Sequence, residues 1–200
     1  MNIAVFASGR GSNFAAIIRA AKKGIFKGTI ALLVCDQPKA GAIAKAKRAG
    51  IKTALIKRED FTSKKDFEAQ ILKNLREEKI DLIAMAGFMR MLSPEFVQAY
   101  AGRIINIHPA LLPSFKGSEG IKDAFAYGIK VTGVTVHFVD EKMDHGPIIL
   151  QAQVLIEEDD TLESLETKIH KLEHKIYPEA IRLYTEGKLR IEARKVKITV

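Results

Sequence analysis

The sequence predicts a single-domain α/β fold of the Rossmann-like type, with a mostly parallel sheet and an antiparallel C-terminal addition. Apolar runs of about four to eight residues alternate with longer segments of helical period, a pattern typical of repeated β-α units. The chain has 200 residues, of which 47% are apolar, and no stretch rich in proline, glycine and serine divides it. One hydrophobic core is therefore expected.

Strands and helices alternate through the first half of the chain. The apolar runs predict strands at residues 3–7, 29–35, 53–56, 82–86 and 104–106. Helices are expected between them at residues 13–23, 40–49, 64–78 and 94–100, and several are closed by glycine. This half is therefore expected to be doubly wound around a parallel sheet.

The pattern changes after Pro113. Residues 131–139 and 148–156 are long, rich in β-branched side chains and separated by a Gly-Pro turn, which predicts an antiparallel pair added to the sheet. A helix at 161–174 is expected next, followed by Tyr177-Pro178 and a further helix to about residue 186. Residues 188–200 alternate apolar and basic side chains, which predicts a basic tail or an edge strand.

The net charge of +8 invites a nucleic-acid partner, but its distribution argues against one. Residues 188–200 hold five basic residues and one acidic residue, which is half of the excess. Aromatic residues make up 7% of the chain and Trp is absent, so the sequence offers no stacking platform for bases. The charge fits an enzyme that acts on phosphorylated or other anionic small molecules.

Cysteine content and hydropathy indicate the expected compartment. Cys35 is the one cysteine, which excludes an internal disulfide and fits a reducing compartment. No apolar run approaches the roughly 20 residues that span a bilayer. The N-terminus has no basic region before its apolar run, so it is interpreted as a first strand rather than a signal peptide. We therefore expect a cytoplasmic protein.

The glycine-rich segment at residues 8–13, Ser-Gly-Arg-Gly-Ser-Asn, follows the first strand and opens the first helix. Its glycines permit a tight turn, and its free N–H groups favour an anion such as a phosphate. A dinucleotide fingerprint is incomplete because Phe14 occupies the third glycine position, although Asp36 after the second strand keeps a nicotinamide cofactor as an alternative. In another alternative, Ser12 and Asn13 act only as helix caps.

A second loop, residues 86–94, leaves the fourth strand and enters a helix at Ser93-Pro94. It is expected at the carboxyl end of a central strand, where open α/β sheets bind ligands. Four of its side chains are large and apolar: Phe88, Met89, Met91 and Leu92. They predict either a slot for a flat heteroaromatic ring or a loop that covers the core.

Asn106, His108 and Asp144 are the candidate catalytic residues. Asn106 and His108 stand two positions apart at the end of the fifth strand, so both side chains can face one side. Asp144 lies in a turn just before Gly146-Pro147. If the fold brings Asp144 to His108, the carboxylate would raise the pKa of His108. An amide, an imidazole and a carboxylate together suit proton transfer and oxyanion stabilisation.

The other histidines, acids and potential nucleophiles in the sequence limit the kinds of catalysis that are expected. His137 lies within a strand and His145 in a turn, and both are weaker candidates. No pair of histidines and acids has dependable metal-ligand spacing, so no metal is expected. No Ser-His-Asp or Cys-His arrangement with a nucleophile elbow is present, so any nucleophile is expected to belong to the substrate.

These motifs resemble those of the phosphoribosylglycinamide formyltransferase family, from residue 1 to about residue 186. The resemblance rests on the segments 8–13, 82–94, 105–113, 133–138, 144–147 and 173–178. Asn106, His108 and Asp144 mark the wider superfamily, whereas the glycine-rich loop and the short length point to this family. The resemblance implies a Rossmann-like formyltransferase domain over residues 1–187, with a phosphate-binding N-terminal half and a catalytic C-terminal half.

The resemblance also implies the reaction. The formyl group of 10-formyltetrahydrofolate would pass to the amine of N1-(5-phospho-D-ribosyl)glycinamide, in de novo purine (IMP) biosynthesis. The amine would attack directly, with His108 as general acid and oxyanion stabiliser, Asn106 as a second stabiliser, and Asp144 tuning His108. The implied partners are these two small molecules, without nucleic acid, membrane or metal, and the chain would act as a monomer or homodimer.

Two binding sets follow from the same resemblance. The glycinamide ribonucleotide would be held by Gly11, Ser12, Asn13 and Glu173. The folate would be held by Lys64, Met89, Arg90, Met91, Leu92 and Asn106. Lys64 stands where many relatives carry an arginine, so it keeps the charge without the bidentate fork. Residues 116–121 depart from the family pattern, which leaves their substrate contacts unassigned.

Three alternatives stay open. Methionyl-tRNA formyltransferases share the catalytic trio but are expected to carry a further C-terminal domain of roughly a hundred residues, for which this chain has no room. Formyltetrahydrofolate hydrolases share the trio and usually carry an N-terminal regulatory module, which is absent before Asn2. A non-enzymatic nucleotide-binding module would need the phosphate loop but not the trio.

Overall fold

The computed structural model describes residues 1–199, so Val200 lies outside the described residues. Within them, the strands are β1 (Asn2–Phe6), β2 (Thr29–Cys35), β3 (Lys52–Leu55), β4 (Leu82–Met85), β5 (Ile104–His108), β6 (Val131–Phe138), β7 (Ile148–Leu155), β8 (Leu189–Glu192) and β9 (Lys195–Ile198). The α-helices are α1 (Ser12–Lys22), α2 (Gly41–Ala49), α3 (Lys64–Glu77), α4 (Pro94–Ala99), α5 (Gly120–Tyr127) and α6 (Leu162–Thr185), and a 3-10 turn spans Arg58–Asp60. None of these helices is both long and apolar enough to cross a membrane.

The strands form one sheet in the order β3-β2-β1-β4-β5-β6-β7-β9-β8. From β3 to β5 the neighbours are parallel, whereas β6 is antiparallel to β5, and β7 is antiparallel to β6. The predicted α/β fold with an antiparallel C-terminal addition is confirmed. The chain moves from β1 to β2 on one side and reaches β4 on the other, so a crevice for ligands is expected at the carboxyl ends of β1 and β4.

Helices cover both faces of the parallel part of the sheet. On one face α1 and α6 bury Ile17 and Ile169. On the other face α3 and α4 bury Ile71 and Phe96. The central strands are therefore apolar on both sides, and β4 is buried along its whole length. This packing fixes the strand ends from which the polar loops leave.

The predicted interruption of the last helix is wrong. The helix α6 continues through Pro178, although proline removes one intrahelical hydrogen bond and usually kinks or ends a helix. Burial of the helix on both sides of the proline outweighs that loss. The fully buried Tyr177 donates its hydroxyl to the carbonyls of Met85 and Ile105, at 2.7 and 3.2 Å. These bonds tie α6 to β4 and β5, whose carboxyl ends carry polar loops.

Two parts of the C-terminal half differ from the sequence pattern. The pattern predicts no helix between Pro113 and residue 131, yet α5 forms there and ends at Gly128, whose φ of 80° suits a helix C-terminus. The segment after residue 187 forms an antiparallel hairpin of β8 and β9 rather than a single strand, and β8 is the expected edge strand of the sheet. The strand β9 joins the sheet beside β7 through the register pair Ile148–Lys195.

Candidate active site

A cavity of about 840 Å³ opens at the carboxyl ends of β1, β4 and β5. Most of the predicted site residues line it: Gly11, Ser12, Asn13, Met89, Arg90, Met91, Leu92, Asn106, His108, Asp144 and Glu173. Lys64 is not among the lining residues. Within residues 1–199, no three His, Cys, Asp or Glu side chains are grouped as a metal site would require.

The glycine-rich loop is held in a tight turn against α2. Gly11 is the N-cap of α1 with φ 71°, and a Cβ at this position would lie 2.9 Å from the Cβ of Ala42. No side chain caps α1, and Ser12 and Asn13 are its first helical residues rather than caps. The first N–H groups of a helix lack intrahelical partners, so this end of α1 favours an anion over the cap alternative.

Asp36 is engaged by a neighbouring loop rather than facing the cavity. It is buried, and its Oδ2 accepts the Nε–H of Arg90 at 2.5 Å. The guanidinium of Arg90 also lies 5.8 Å from the centre of the Phe67 ring. The nicotinamide alternative therefore loses its acidic residue. Arg90 lines the cavity, but its guanidinium is directed toward Asp36.

The loop after β4 presents two methionines to the cavity. Met89 and Met91 are 67% and 50% exposed, whereas Phe88 and Leu92 are buried. The Oγ of Ser8 accepts the N–H of Met89 at 3.0 Å, which joins this loop to the glycine-rich loop. A flat apolar ligand would remove the two methionines from water.

Lys64 begins α3 and is not brought to the cavity. Its Nζ lies 3.8 Å from the Oε1 of the buried Glu68. The same oxygen accepts the N–H of Ser93 at 2.8 Å, just before α4. In this structure Lys64 therefore supports a buried carboxylate, and its predicted folate contact stays a prediction.

Asn106, His108 and Asp144 meet at one wall of the cavity. The strand β5 carries the first two, and the turn after β6 brings the Oδ2 of Asp144 to 3.5 Å from the Nδ1 of His108. Asp144 has φ 46°, and its Oδ2 accepts the N–H of Gly117 at 2.8 Å. Such a left-handed backbone persists where neighbours hold it. The Nε2–H of His108 donates to the carbonyl of Phe115 at 2.8 Å, so Nδ1 faces the carboxylate.

Burial decides the protonation of His108. The side chain is nearly inaccessible, and this desolvation lowers its pKa below the ordinary value, while the Asp144 carboxylate and the Phe115 carbonyl oppose the shift. Asp144 acts in the expected direction, but burial outweighs it. The imidazole of the free chain is neutral at neutral pH, with its proton on Nε2.

His137 joins the site, although the sequence pattern marks it as a weaker candidate. The register of β5 and β6 sets it opposite Asn106. Its Nδ1–H donates to the carbonyl of Phe138 at 2.7 Å, so its Nε2 accepts from the Nδ2 of Asn106 at 3.3 Å. His137 thereby orients the Asn106 amide. Burial raises the pKa of Asp144, but the nearby His137 ring, at 3.7 Å, and the hydrogen bond from the Gly117 N–H lower it overall.

The helix α6 contributes two polar side chains near the glycine-rich loop. The Oε2 of Glu173 accepts from the Nδ2 of Asn13 at 3.1 Å and from the Nδ1 of His170 at 2.8 Å. The bond to Glu173 raises the pKa of His170 above its ordinary value, although burial opposes it. The Oδ1 of Asn13 is buried without a partner in the described residues, so a ligand donor would satisfy it. The sequence pattern gave no reason to select His170.

Comparison with known proteins places this geometry in a family. A model of the formyl transferase family matches residues 1–181. The chain belongs to the formyl transferase family. This formyl transferase is 49% identical to phosphoribosylglycinamide formyltransferase of Bacillus subtilis (strain 168) over 179 residues, which covers 90% of the chain and 92% of that relative.

Other members of the formyl transferase family are similar over the same span. The chain is 38% identical over 191 residues to phosphoribosylglycinamide formyltransferase of Escherichia coli (strain K12), covering 96% of the chain and 90% of that relative. The crystal structure of glycinamide ribonucleotide transformylase 1 from Symbiobacterium toebii has a TM-score of 0.97 at 42% identity. It covers 100% of this chain, and this chain covers 94% of it.

Proposed function

We propose that this formyl transferase moves the formyl group of 10-formyltetrahydrofolate to the amine of N1-(5-phospho-D-ribosyl)glycinamide, a step of de novo purine biosynthesis. Relatives named phosphoribosylglycinamide formyltransferase, at 49% and 38% identity, support the choice of acceptor. The observation that carries the proposal is that one cavity holds Asn106, His108 and Asp144 together with the glycine-rich loop.

The glycine-rich loop suits the phosphate of the acceptor. The uncapped start of α1 offers N–H groups, and Arg10 and His170 lie on the same part of the cavity wall. Beside them, Glu173 is a buried acceptor and Asn13 has a buried oxygen that needs a donor. An anion bordered by hydroxyl and amine groups, as in a phosphorylated ribosyl amine, matches this set.

The loop after β4 suits the ring of the formyl donor. Met89 and Met91 form an apolar wall next to the glycine-rich loop. The cavity volume of about 840 Å³ lies within the range of roughly 300–1,000 Å³ that is common for small-molecule sites. When bound, 10-formyltetrahydrofolate supplies the formyl carbon that is attacked. These residues would hold its ring and keep water away from it.

Asn106 and His108 carry the chemistry in this proposal. As the acceptor amine attacks the formyl carbon, negative charge develops on the formyl oxygen, and the Asn106 amide and the imidazole supply hydrogen-bond donors. A shift of the neutral imidazole's proton to Nδ1, where the Asp144 carboxylate accepts it, frees Nε2 to take the proton that the amine loses. The resulting imidazolium is stabilised by Asp144 and donates to the formyl oxygen. The imidazolium then donates that proton to the departing folate nitrogen. One C–N bond forms and one breaks, so no oxidant is consumed.

The Phe115 carbonyl competes with substrate for the His108 proton. In the structure this carbonyl accepts the Nε2–H at 2.8 Å, and Phe115 itself has φ 49°. A left-handed phenylalanine is strained, so the turn holds this bond at a cost. A formyl oxygen can therefore bind at the Nε2 of His108 only when the Phe115 carbonyl moves away from it.

Two parallel absorbance assays test the proposal. Purified protein is mixed with 10-formyltetrahydrofolate, with and without glycinamide ribonucleotide. We expect the formyl folate to be consumed only when both substrates are present. Consumption without the ribonucleotide would identify a hydrolase, and no consumption in either sample would refute formyl transfer to this acceptor.

His170 is expected to make acceptor binding depend on pH. Because Glu173 raises the pKa of His170, the imidazolium persists above the ordinary value and is lost as the pH rises through the raised value. Loss of that charge leaves Glu173 to repel the phosphate. The KM for the ribonucleotide should therefore rise as the pH is raised above the ordinary histidine pKa of about 6.5, while the KM for the folate changes little.

His170→Gln is the variant that checks this prediction, because the amide cannot titrate. Its KM for the ribonucleotide should stay nearly constant over the same pH range at fixed ionic strength. An equal rise in KM for the variant and the unmodified chain would show that another group is responsible. His174→Gln, which alters a histidine one turn further along α6, is the matched control and should retain the rise.

The proposal extends to location and partners. We propose that the chain works in the cytoplasm on these two small molecules, as a monomer or homodimer. The free, buried Cys35 supports a reducing compartment. The division into a formyltransferase domain of residues 1–187 and an addition of residues 188–200 is part of the same proposal.

A further inference from the structure

The C-terminal hairpin reaches the loop that carries Asp144. The two-residue turn between β8 and β9 consists of Ala193 and Arg194, and Ala193 has φ 52°. This turn directs Arg194 toward the segment 140–145 that follows β6. The hairpin lies beyond the residues 1–181 that the family model matches. The hairpin that contacts this loop is therefore outside the matched part of the chain.

Arg194 closes the base of this loop together with two residues of the loop. Its Nη2–H donates to the backbone carbonyl of His145 at 2.7 Å, and its Nη1 lies 3.1 and 3.2 Å from the two ring nitrogens of His145. The Nδ1–H of His145 donates to the Oδ2 of Asp140 at 2.6 Å. The bond between Asp140 and His145 thus joins the start and the end of the loop. The guanidinium of Arg194, which belongs to the hairpin, binds the His145 end of this junction.

The loop needs such support because of how Asp144 is placed. Asp144 precedes His145 and has a left-handed backbone, with φ 46°. Its carboxylate must lie between His108 and His137, at 3.5 and 3.7 Å. A non-glycine residue holds this conformation when its surroundings determine it, and the neighbours Glu141 to Met143 are exposed. The junction at His145 is therefore a direct constraint on the carboxylate.

We propose that Arg194 is a positioning residue, which fixes the loop 140–145 and thereby holds the Asp144 carboxylate against His108. The guanidinium does this through a carbonyl and an imidazole of the neighbouring residue and does not touch the reacting groups. A lysine would keep the charge but could not make both contacts in the same geometry. The link to catalysis rests on the proposed function, but the link to His108 does not.

Titration of His108 by NMR tests the link without any substrate. Asp144 and the Phe115 carbonyl favour the imidazolium of His108, whereas burial and His137 oppose it, and Glu173 adds a weaker favourable charge. Arg194→Ala should displace Asp144 and move the titration of His108 to lower pH, in the direction of Asp144→Asn. Arg194→Lys should give a smaller movement. An unchanged titration in Arg194→Ala would overturn the proposal.

Arg190→Ala is the matched control, because Arg190 belongs to the same hairpin and pairs with Glu192 at 3.3 Å. It removes the same charge and should leave the His108 titration unchanged. An equal movement in both variants would also overturn the proposal. In formyl transfer, Arg194→Ala should lower kcat on the order of tenfold with little change in either KM, since misplaced catalytic groups lose rate rather than binding. If the unmodified chain shows no formyl transfer, the proposed function is refuted. The His108 titration would still test the positioning role of Arg194, because it needs no substrate.

Discussion

Replacing His108 with alanine is expected to lower kcat by about 10²- to 10⁴-fold, the range of general acid–base catalysis. The His108 imidazole lies at the cavity wall beside Asn106 and Asp144, where it can both accept the amine proton and deliver it to the leaving nitrogen. Its pKa is lowered by burial, so the neutral form needed to accept the proton prevails at neutral pH. Asn106 would still donate to the formyl oxygen, which accounts for the residual rate.

The absorbance assay with both substrates measures this effect. His174→Gln serves again as control, because His174 lies on α6 outside the lining of the cavity. Circular dichroism shows whether each variant is folded, and calorimetry shows whether the variant still binds the ribonucleotide. A folded His108→Ala protein with kcat within about threefold of the unmodified chain would exclude His108 from proton transfer.

The sequence pattern predicts the parallel half of the fold well because its strands are buried on both faces. The predicted strand at residues 29–35 has the bounds of β2, and the one at 82–86 exceeds β4 by one residue. Helix ends marked by Ser93-Pro94 and Gly50 are equally local signals. The continuity of α6 through Pro178 is not local, since it depends on packing against β4 and β5.

In the candidate site, too, local sequence signals identify some residues, whereas others depend on tertiary contacts. Asn106 and His108 are recognisable because one strand carries both, but His137 joins them only through the register of β5 and β6. The sequence does not give that register. Nor does it give the balance between burial and the Asp144 charge that sets the pKa of His108. A titratable side chain within β6, whose other polar residues are the threonines Thr132 and Thr135, is the signal that could have selected His137.

Replacing Gly146 with alanine is expected to reduce both stability and activity. A Cβ at this position would lie 1.9 Å from the carbonyl oxygen of Phe138 and 2.8 Å from its carbonyl carbon. That carbonyl accepts the Nδ1–H of His137, and the Phe138 N–H donates to Pro147 at 2.9 Å. The backbone therefore cannot move aside without breaking hydrogen bonds at the end of β6. We expect a loss of about 3 kcal/mol in the free energy of unfolding, the upper end of ordinary substitutions.

The effect on rate follows from the same carbonyl. Once Phe138 moves, His137 loses the bond that fixes its tautomer, and the Asn106 amide loses its acceptor, so kcat should fall on the order of a hundredfold. Urea unfolding and the two-substrate assay measure the two effects. Gly24→Ala is the control, because Gly24 has φ 67° and open space around its Cβ position. It should lose about 1–2 kcal/mol from backbone strain alone and keep its kcat. If Gly146→Ala also loses only about 1–2 kcal/mol and keeps its kcat, the prediction is wrong. The close contact between Gly146 and the Phe138 carbonyl would then not be needed to position His137 and the Asn106 amide.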